Sequence, residues 1–432
     1  MSMSNFIPEL LKLKDPNIEF SNNVSKIKKK NVTYNLINAK LSYIPKYCPI
    51  CGCFNEHYSI IKYGTKPSDI KLLPCNGNPT ILRLNKQRFF CKECGQSFLA
   101  TSNIVEPNCY ISKQVKLKIL SYLSLKVSEK DIAFMTYVSH STVSRAIDSN
   151  YTTFSPNFDY LPKHLMFDEF KSTKDAKDSM SFIFADCETH EIVDIVESRQ
   201  LRFLKLYFSK YSIIAREHVE TICIDMYAPY ISIIKDMFPN AEIVIDRFHI
   251  VQLLTRAFNK TRVKVMGDFP KQSMEYKRLK RYWRLFLKTE TELNGTDFKH
   301  YTHFNNWISA QTLVKASIAV DPMLETTYDA LQILLYDIKT KNTIKLKSDL
   351  NALLDENISD YMKTSISSLL KHMGYVENAL KYEYSNGTIE GLNNYIKVIK
   401  RIAFGYRSFF HFRNRILISR NLIKPITKYQ VA

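Results

Sequence analysis

A multidomain α/β protein with separate metal-binding and helical modules follows from three features of this 432-residue sequence. Two short β-branched runs, Thr221–Ile224 and Ile243–Ile245, flank a stretch of helical periodicity, and each stops at an aspartate, Asp225 and Asp246. Upstream lie two Cys-x-x-Cys-Gly pairs, Cys48/Cys51 and Cys91/Cys94. Downstream, residues 251–375 hold several amphipathic segments and no convincing strand.

The totals narrow the class. Apolar residues make up 45% of the chain, ordinary for a globular protein. No apolar run approaches the roughly 18 residues that would span a bilayer. The opening MSMSNFIPELLKLKDP lacks the basic and apolar regions of a secretory signal. The expectation is a cytoplasmic, nucleoid-associated protein without a membrane partner. Nine cysteines, an odd number, favour metal binding or burial over a disulfide framework. The net charge of +19 is unevenly spread. Residues 1–150 carry 21 basic and 10 acidic side chains, residues 251–300 carry 12 and 5, and residues 401–432 carry seven and none, whereas residues 151–250 carry 11 and 16. Basic flanks attract phosphate backbones, and an acidic centre suits a divalent cation.

Taken in order, residues 1–45 read as a basic, partly ordered N-terminal arm, with Lys26-Ile-Lys-Lys-Lys30 and little periodicity. Residues 46–108 read as a zinc-binding ribbon. Each Cys-x-x-Cys sets two thiolates on one tight turn, and the following Gly supplies the positive φ. Two such turns make a tetrahedral four-thiolate zinc site from Cys48, Cys51, Cys91 and Cys94, structural because no position is left open. Cys53, His57 and Cys75 are not expected to be primary ligands. Thr80–Phe90 and Ser97–Ala100 read as strands, and Arg83, Lys86 and Arg88 are candidates to touch DNA.

Residues 109–152 read as a helix-turn-helix domain. Lys113–Leu123 is amphipathic, Ser128 begins a capping-box-like start, and Ser139 opens a last helix with small polar residues at its N-terminus. His140, Ser141, Thr142, Ser144 and Arg145 would face bases.

Residues 160–250 form an α/β core: strand His164–Phe167 ending at Asp168-Glu169, strands Ser179–Asp186 and Glu191–Val196, a helix from Leu201, then strand, helix, strand. Three antiparallel strands followed by helix, strand, helix, strand is the order of a ribonuclease-H-like mixed five-stranded sheet. Residues 251–378 are an all-helical insertion, in which Trp283 and Trp307 are expected to pack in the core rather than stack on a base. Residues 379–432 complete the core with C-terminal helices and a basic tail. There Glu390, Asn394 and Lys397 share one helix face, with Lys400 and Arg401 extending a basic stripe and Ser385, Asn386 or Thr388 as the cap.

Carboxylates at the ends of separate elements of one sheet suggest a two-metal phosphodiester site, with Asp168, Asp225 and Glu390 holding Mg²⁺ or Mn²⁺. Asp246 reads as an auxiliary acid or helix cap. His249 either orients a phosphate, carries a proton or is a satisfied core histidine. Glu169 alternates with Asp168 and faces the other side of the sheet.

The cysteine turns, the helix-turn-helix pattern, FDEF at 167–170, CIDMYAPY at 223–230, FPNAEIVIDRFHIVQ at 238–252 and SNGTIEGLNNYIKVIKRIAFGYRSFFHFRNRI at 385–416 together resemble transposases of bacterial insertion sequences of the ISL3 family. The resemblance implies a DDE recombinase that binds double-stranded terminal inverted repeats, cuts DNA with Mg²⁺ and joins 3′ ends to target DNA, acting as a homodimer or larger assembly. Carried over by position, the triad is Asp168, Asp225 and Glu390. The alternatives are a non-catalytic DNA-binding protein derived from a transposase and a structure-selective nuclease; the complete set of three acids favours the first reading.

Overall fold

The computed structural model describes residues 6–423 apart from positions 14, 30, 151–154 and 385–386. The chain divides into two compact units, Met1–Phe154 with Ile396–Ala432, and Ser155–Tyr395.

The first unit opens with a short helix, α1 (Phe6–Leu11), and a five-stranded sheet: β1 (Ile18–Lys29), β2 (Val32–Leu41), β3 (Ile60–Cys75), β4 (Asn78–Cys91) and β5 (Ser97–Leu99). The order is β1-β2-β4-β3, with β5 on β4. Strands β3 and β4 form a long hairpin that turns at Asn76-Gly77, both with positive φ. An Asn-Gly pair supplies this geometry at little steric cost. Residues 18–41, expected to lie in a partly ordered arm, are instead a hairpin whose inner strand runs parallel to β4. The reason is positional. β1 is an edge strand, solvated almost throughout, so it carries no buried alternation to read, and its lysines suit an unpaired edge.

Three helices follow: α2 (Lys113–Leu123), α3 (Glu129–Thr136) and α4 (His140–Asn150). The Ser112 and Ser128 hydroxyls cap the first two by accepting from Val115 and Asp131 N–H. Tyr137 takes a left-handed conformation between α3 and α4 (φ 51°). Its carbonyl accepts from Lys71 Nζ on β3, and its hydroxyl donates to the Gly77 carbonyl, which ties the helices to the hairpin.

The second unit is built on β6 (His164–Lys171), β7 (Met180–Asp186), β8 (Ile192–Val196), helices α5 (Leu201–Phe208) and α6 (Ile213–Glu217), β9 (Thr221–Ile224), α7 (Ala228–Met237) and β10 (Glu242–Ile245). The sheet order is β10-β9-β6-β7-β8, parallel across β10, β9 and β6 and antiparallel across β6, β7 and β8. One face carries Leu165, Phe167, Ile222, Ile224 and Ile243 against Leu204 and Phe208 of α5 and Tyr230, Ile233 and Ile234 of α7. Phe167 lies at its centre, stacked on Phe208 at 5.6 Å and edge-on to Phe182 at 5.0 Å.

Helices α8 (Arg247–Gly267), α9 (Met274–Arg281), α10 (Ala310–Ile318), α11 (Pro322–Lys339), α12 (Thr343–Asp355), α13 (Asp360–Lys371) and α14 (Met373–Lys381) follow, with a two-residue ladder at Lys299–His300 and Trp307–Ile308. Both tryptophans, expected in the core, are exposed, Trp307 at 69%. Trp307 sits on that short exposed ladder, where no second layer covers it.

The last helices are α15 (Gly387–Ile402) and α16 (Phe409–Ser419). Residues 379–432 were expected to belong wholly with the α/β core. From Ile396 onward the chain belongs to the first unit, because Ile418 of α16 joins the apolar cluster of α2, α3 and α4. The Ser385 and Asn386 caps and residues 424–432 of the basic tail lie outside the described residues.

Replacing Phe167 by Ala is expected to cost the second unit about 3–5 kcal/mol, because the cavity opens between fixed aromatic neighbours; urea denaturation followed by far-UV circular dichroism measures it.

Candidate functional site

The four-cysteine cluster is compact. The four Sγ atoms of Cys48, Cys51, Cys91 and Cys94 lie within 4.8 Å of one another. Cys48 to Cys94 is 3.9 Å and Cys51 to Cys91 is 3.8 Å. A tetrahedron with zinc–sulfur bonds of about 2.3 Å has edges of about 3.8 Å. The donor set therefore fits zinc in type, number and spacing. Backbone N–H groups of the second turn favour the thiolate: the Cys94 amide, first among several groups, lowers Cys91 to about 6. Cys53 lies 3.3 Å from Cys91, closer than two ligands of one tetrahedron stand, and contact with Cys91 raises its pKa. It is a neighbouring thiol outside the four-cysteine group.

The acidic site follows from strand register. In the parallel part of the sheet Met166 is level with Cys223, and Cys223 with Val244. Continuing two residues along each strand brings Asp168, Asp225 and Asp246 level with one another. Level residues on parallel neighbours point to the same face, so the three acids share the face opposite the Phe167 cluster. Asp246 is buried and caps α8 by accepting from Phe248 N–H at 3.3 Å. One turn into α8, His249 Nε2 lies 2.7 Å from Asp225 Oδ1. Asp225, Asp246 and His249 form a group within 4.8 Å. The Asp225 hydrogen bond, above all, raises the pKa of His249 and favours the imidazolium.

Asp168 is held differently. Burial, then the charges of Asp225 and Glu169, push its pKa up to about 7, against a 2.7 Å hydrogen bond from the Glu169 amide. Its Oδ2 accepts from Asn393 Nδ2 of α15 at 2.6 Å, and the same amide donates to the Glu169 carbonyl at 3.2 Å. Two residues before Asp168, Met166 Sδ is met by the Thr388 hydroxyl of the same helix. Glu169 points to the α5–α7 side, where Arg199 Nη1 meets it at 2.5 Å and Tyr230 Oη donates to it at 3.1 Å.

Of the expected residues, the structure gathers Asp225, Asp246 and His249, with Asp168 on the same face. Glu390 lies in the first turn of α15, exposed, and outside the three-residue group. Asn394 and Lys397 lie with Glu390 on the exposed side of the helix. The amide that reaches Asp168 belongs to Asn393, one position from the expected Asn394; a buried spacing of Ile389, Leu392, Asn393 and Ile396 was the available signal. In the helical module, His140, Ser141 and Arg145 are exposed, and Thr142 is half-buried. Ser144 departs from the expected base-facing set, since its hydroxyl donates inward to Glu129 at 2.8 Å.

Residues 165–416 match the ISL3-type DDE family model described as "Transposase". The chain belongs to the ISL3 transposase family. Residues 45–94 also match the model described as "zinc-finger of transposase IS204/IS1001/IS1096/IS1165", which spans all four cysteines. The chain is in addition 35% identical over 122 residues to a protein of Lactococcus lactis subsp. lactis named "ATP-dependent protease". That likeness covers 28% of this chain and 37% of the length of the relative. Among the described residues, no helix is long and apolar enough to cross a membrane.

Two outcomes are expected. Cys91→Ser should bring zinc, measured by inductively coupled plasma mass spectrometry, well below one per chain, because three thiolates and a hydroxyl make a far weaker site. Asn393→Leu should destabilise the second unit by about 1–3 kcal/mol in urea denaturation, since the half-buried Asp168 carboxyl loses a donor.

Proposed function

We propose that this transposase binds the terminal inverted repeats of its insertion sequence and cleaves and joins DNA through a triad of Asp168, Asp225 and Glu390. The reading rests above all on the register that sets Asp168 and Asp225 level on one face of the sheet. Helix α15 adds to it: Thr388 and Asn393 bring that helix onto the Asp168 face, and Glu390 lies between them in sequence. The mixed sheet order supports a ribonuclease-H-like core, made of residues 160–250 and the start of α15, with 251–378 as a helical insertion.

Carboxylates crowded on one face suit a hard cation. Asp168, raised by burial and by Asp225, gains most from one, because a positive charge restores its ionised form. When bound there, Mg²⁺ or Mn²⁺ would supply Lewis-acid activation of water or a 3′-hydroxyl and stabilise the leaving oxygen. The chain's own groups do the positioning. His249 holds Asp225 in one rotamer from the N-terminus of α8, whose dipole favours the anion. Asn393 holds Asp168. Asp246 serves as the cap that starts α8 at the right residue.

End recognition falls to the N-terminal modules. The α3–turn–α4 segment supports a helix-turn-helix reading, with His140, Ser141, Thr142 and Arg145 toward the major groove. The zinc ribbon, with Arg83, Lys86 and Arg88, and the basic stripe of Lys400 and Arg401 add phosphate contacts. Joining two ends in one event calls for at least two copies on DNA, within the nucleoid of the cytoplasm.

In a test with a plasmid carrying the repeats that flank this reading frame, wild type with Mg²⁺ should cut at the repeat ends. Asp225→Asn should lower cleavage by at least about a thousandfold while repeat binding, read by gel shift, changes less than about threefold. Wild-type cleavage by the variant would remove Asp225 from the triad.

A further inference from the structure

The helical module of the first unit contains a buried charge cluster that DNA cleavage does not use. Arg415 of α16 is only 1% exposed. Its guanidinium donates to the carbonyls of Leu123, Leu125 (2.8 Å) and Val127 (2.9 Å). These are the free carbonyls at the end of α2 and in its link to α3, and the last turn of α2 has no basic residue of its own. A buried guanidinium is tolerated only where its N–H groups find acceptors. Here the acceptors are a helix C-terminus, where a cation is also favoured by the dipole. Arg415 thereby locks α16 against the start of the module.

One turn earlier on the same face of α16 is His411. Its Nε2 lies 2.8 Å from Glu129 Oε1, and its Nδ1 lies 3.1 Å from Asp148 Oδ1. A carboxylate at each ring nitrogen favours the imidazolium, in which both nitrogens donate. Glu129 is the first residue of α3 and is 5% exposed, whereas Asp148 belongs to α4. The other oxygen of Glu129 takes the Ser144 hydroxyl of α4 at 2.8 Å and lies 3.7 Å from His140 Nε2. Apolar packing runs alongside: Ile418 of α16 joins Val143 and Ile147 of α4 and Ile119 and Leu123 of α2.

We propose that His411 and Arg415 are positioning residues for DNA end recognition, holding α4 at the angle from which His140, Ser141, Thr142 and Arg145 meet the repeat. The proposal rests on the reading of α4 as the recognition helix. It has a consequence for connectivity. Only residues 403–408 separate α16 from α15, the helix of Glu390. One short length of chain therefore carries both the third acid and the clamp on the end-reading helix.

The clamp is pH-dependent. The groups facing His411 are Glu129 of α3, Asp148 of α4 and the Tyr406 ring at 5.9 Å; His140 lies beyond Glu129, and Arg415 is one turn on. Burial disfavours the His411 cation, but Glu129 and Asp148 outweigh it and raise the pKa. Burial likewise opposes ionised Glu129, and His411, Ser144 and His140 together outweigh it, so Glu129 is lowered. A raised histidine contributes fully below its ordinary value of about 6.5 and loses that contribution as pH climbs through the raised value. A lowered glutamate contributes fully above its ordinary value of about 4.3 and loses it as pH falls through the lowered one. End binding should therefore weaken as pH rises above neutral.

The test is fluorescence anisotropy with the full chain, a duplex carrying the flanking terminal repeat and a scrambled duplex. His411→Leu and Arg415→Met should each weaken repeat binding about tenfold, with scrambled-duplex binding changed less than about twofold. His411→Gln, the milder variant, with folding checked by circular dichroism, should lose the fall in repeat affinity above neutral pH. His140→Gln should retain that fall. Wild-type affinity and pH profile in both His411 variants, with Arg145→Ala weakened, would overturn the positioning role and leave the α4 reading standing. Wild-type repeat binding by both Arg145→Ala and Ser141→Ala would overturn the α4 reading itself.

Discussion

The register of three parallel strands is the constraint on which the acidic site depends. Met166, Cys223 and Val244 stand level across β6, β9 and β10, so the aspartates two residues further along share a face. A slip of one residue in β9 would turn Asp225 into the aromatic cluster and bring Ile224 to the polar face. The apolar face prevents that slip. Phe167, Ile222, Ile224 and Ile243 all meet α5 and α7 on that face, and a one-residue slip of β9 would take Ile222 and Ile224 out of it. The packing of one face of the sheet thus determines the chemistry available on the other.

Each charged group in these sites is steadied by a partner from a distant element. Asn393 donates to Asp168 across 225 residues, and Arg415 reaches the Leu123 carbonyl across 292. His249 reaches Asp225 because Asp246 starts α8 one turn before it. In water such bonds contribute little, but in a partly dry site an unpaired carboxyl or carbonyl is costly. The same physical requirement therefore organises the acid row of one unit and the helical clamp of the other.

Much of this was legible in local pattern. Cysteine turns need two thiolates and a glycine close together, and that spacing survives in the chain as written. Buried β-branched runs such as Thr221–Ile224 mark central strands, and Ser112 and Ser128 mark helix starts. Strand β1 was illegible because an edge strand solvated on both sides needs no alternation. Trp307 was misjudged because an aromatic residue does not state whether a second layer exists above it. Ser144 was misjudged because exposure in a helix depends on what packs beside it, here Glu129.

By itself the sequence determined the four clustered cysteines, the helices of the N-terminal module, the strands that end on Asp225 and Asp246, and the family resemblance. These features are encoded over a few residues, in turn chemistry, periodicity or an unbroken motif. Only the tertiary structure decided that Asn393 rather than Asn394 meets Asp168, that His249 pairs with Asp225, and that α16 completes the module of α2, α3 and α4. Contacts of that kind depend on how whole elements pack. The residues that make them carry no local mark, because an amide, an imidazole or a guanidinium looks the same in a sequence whether it faces water or a buried carboxylate.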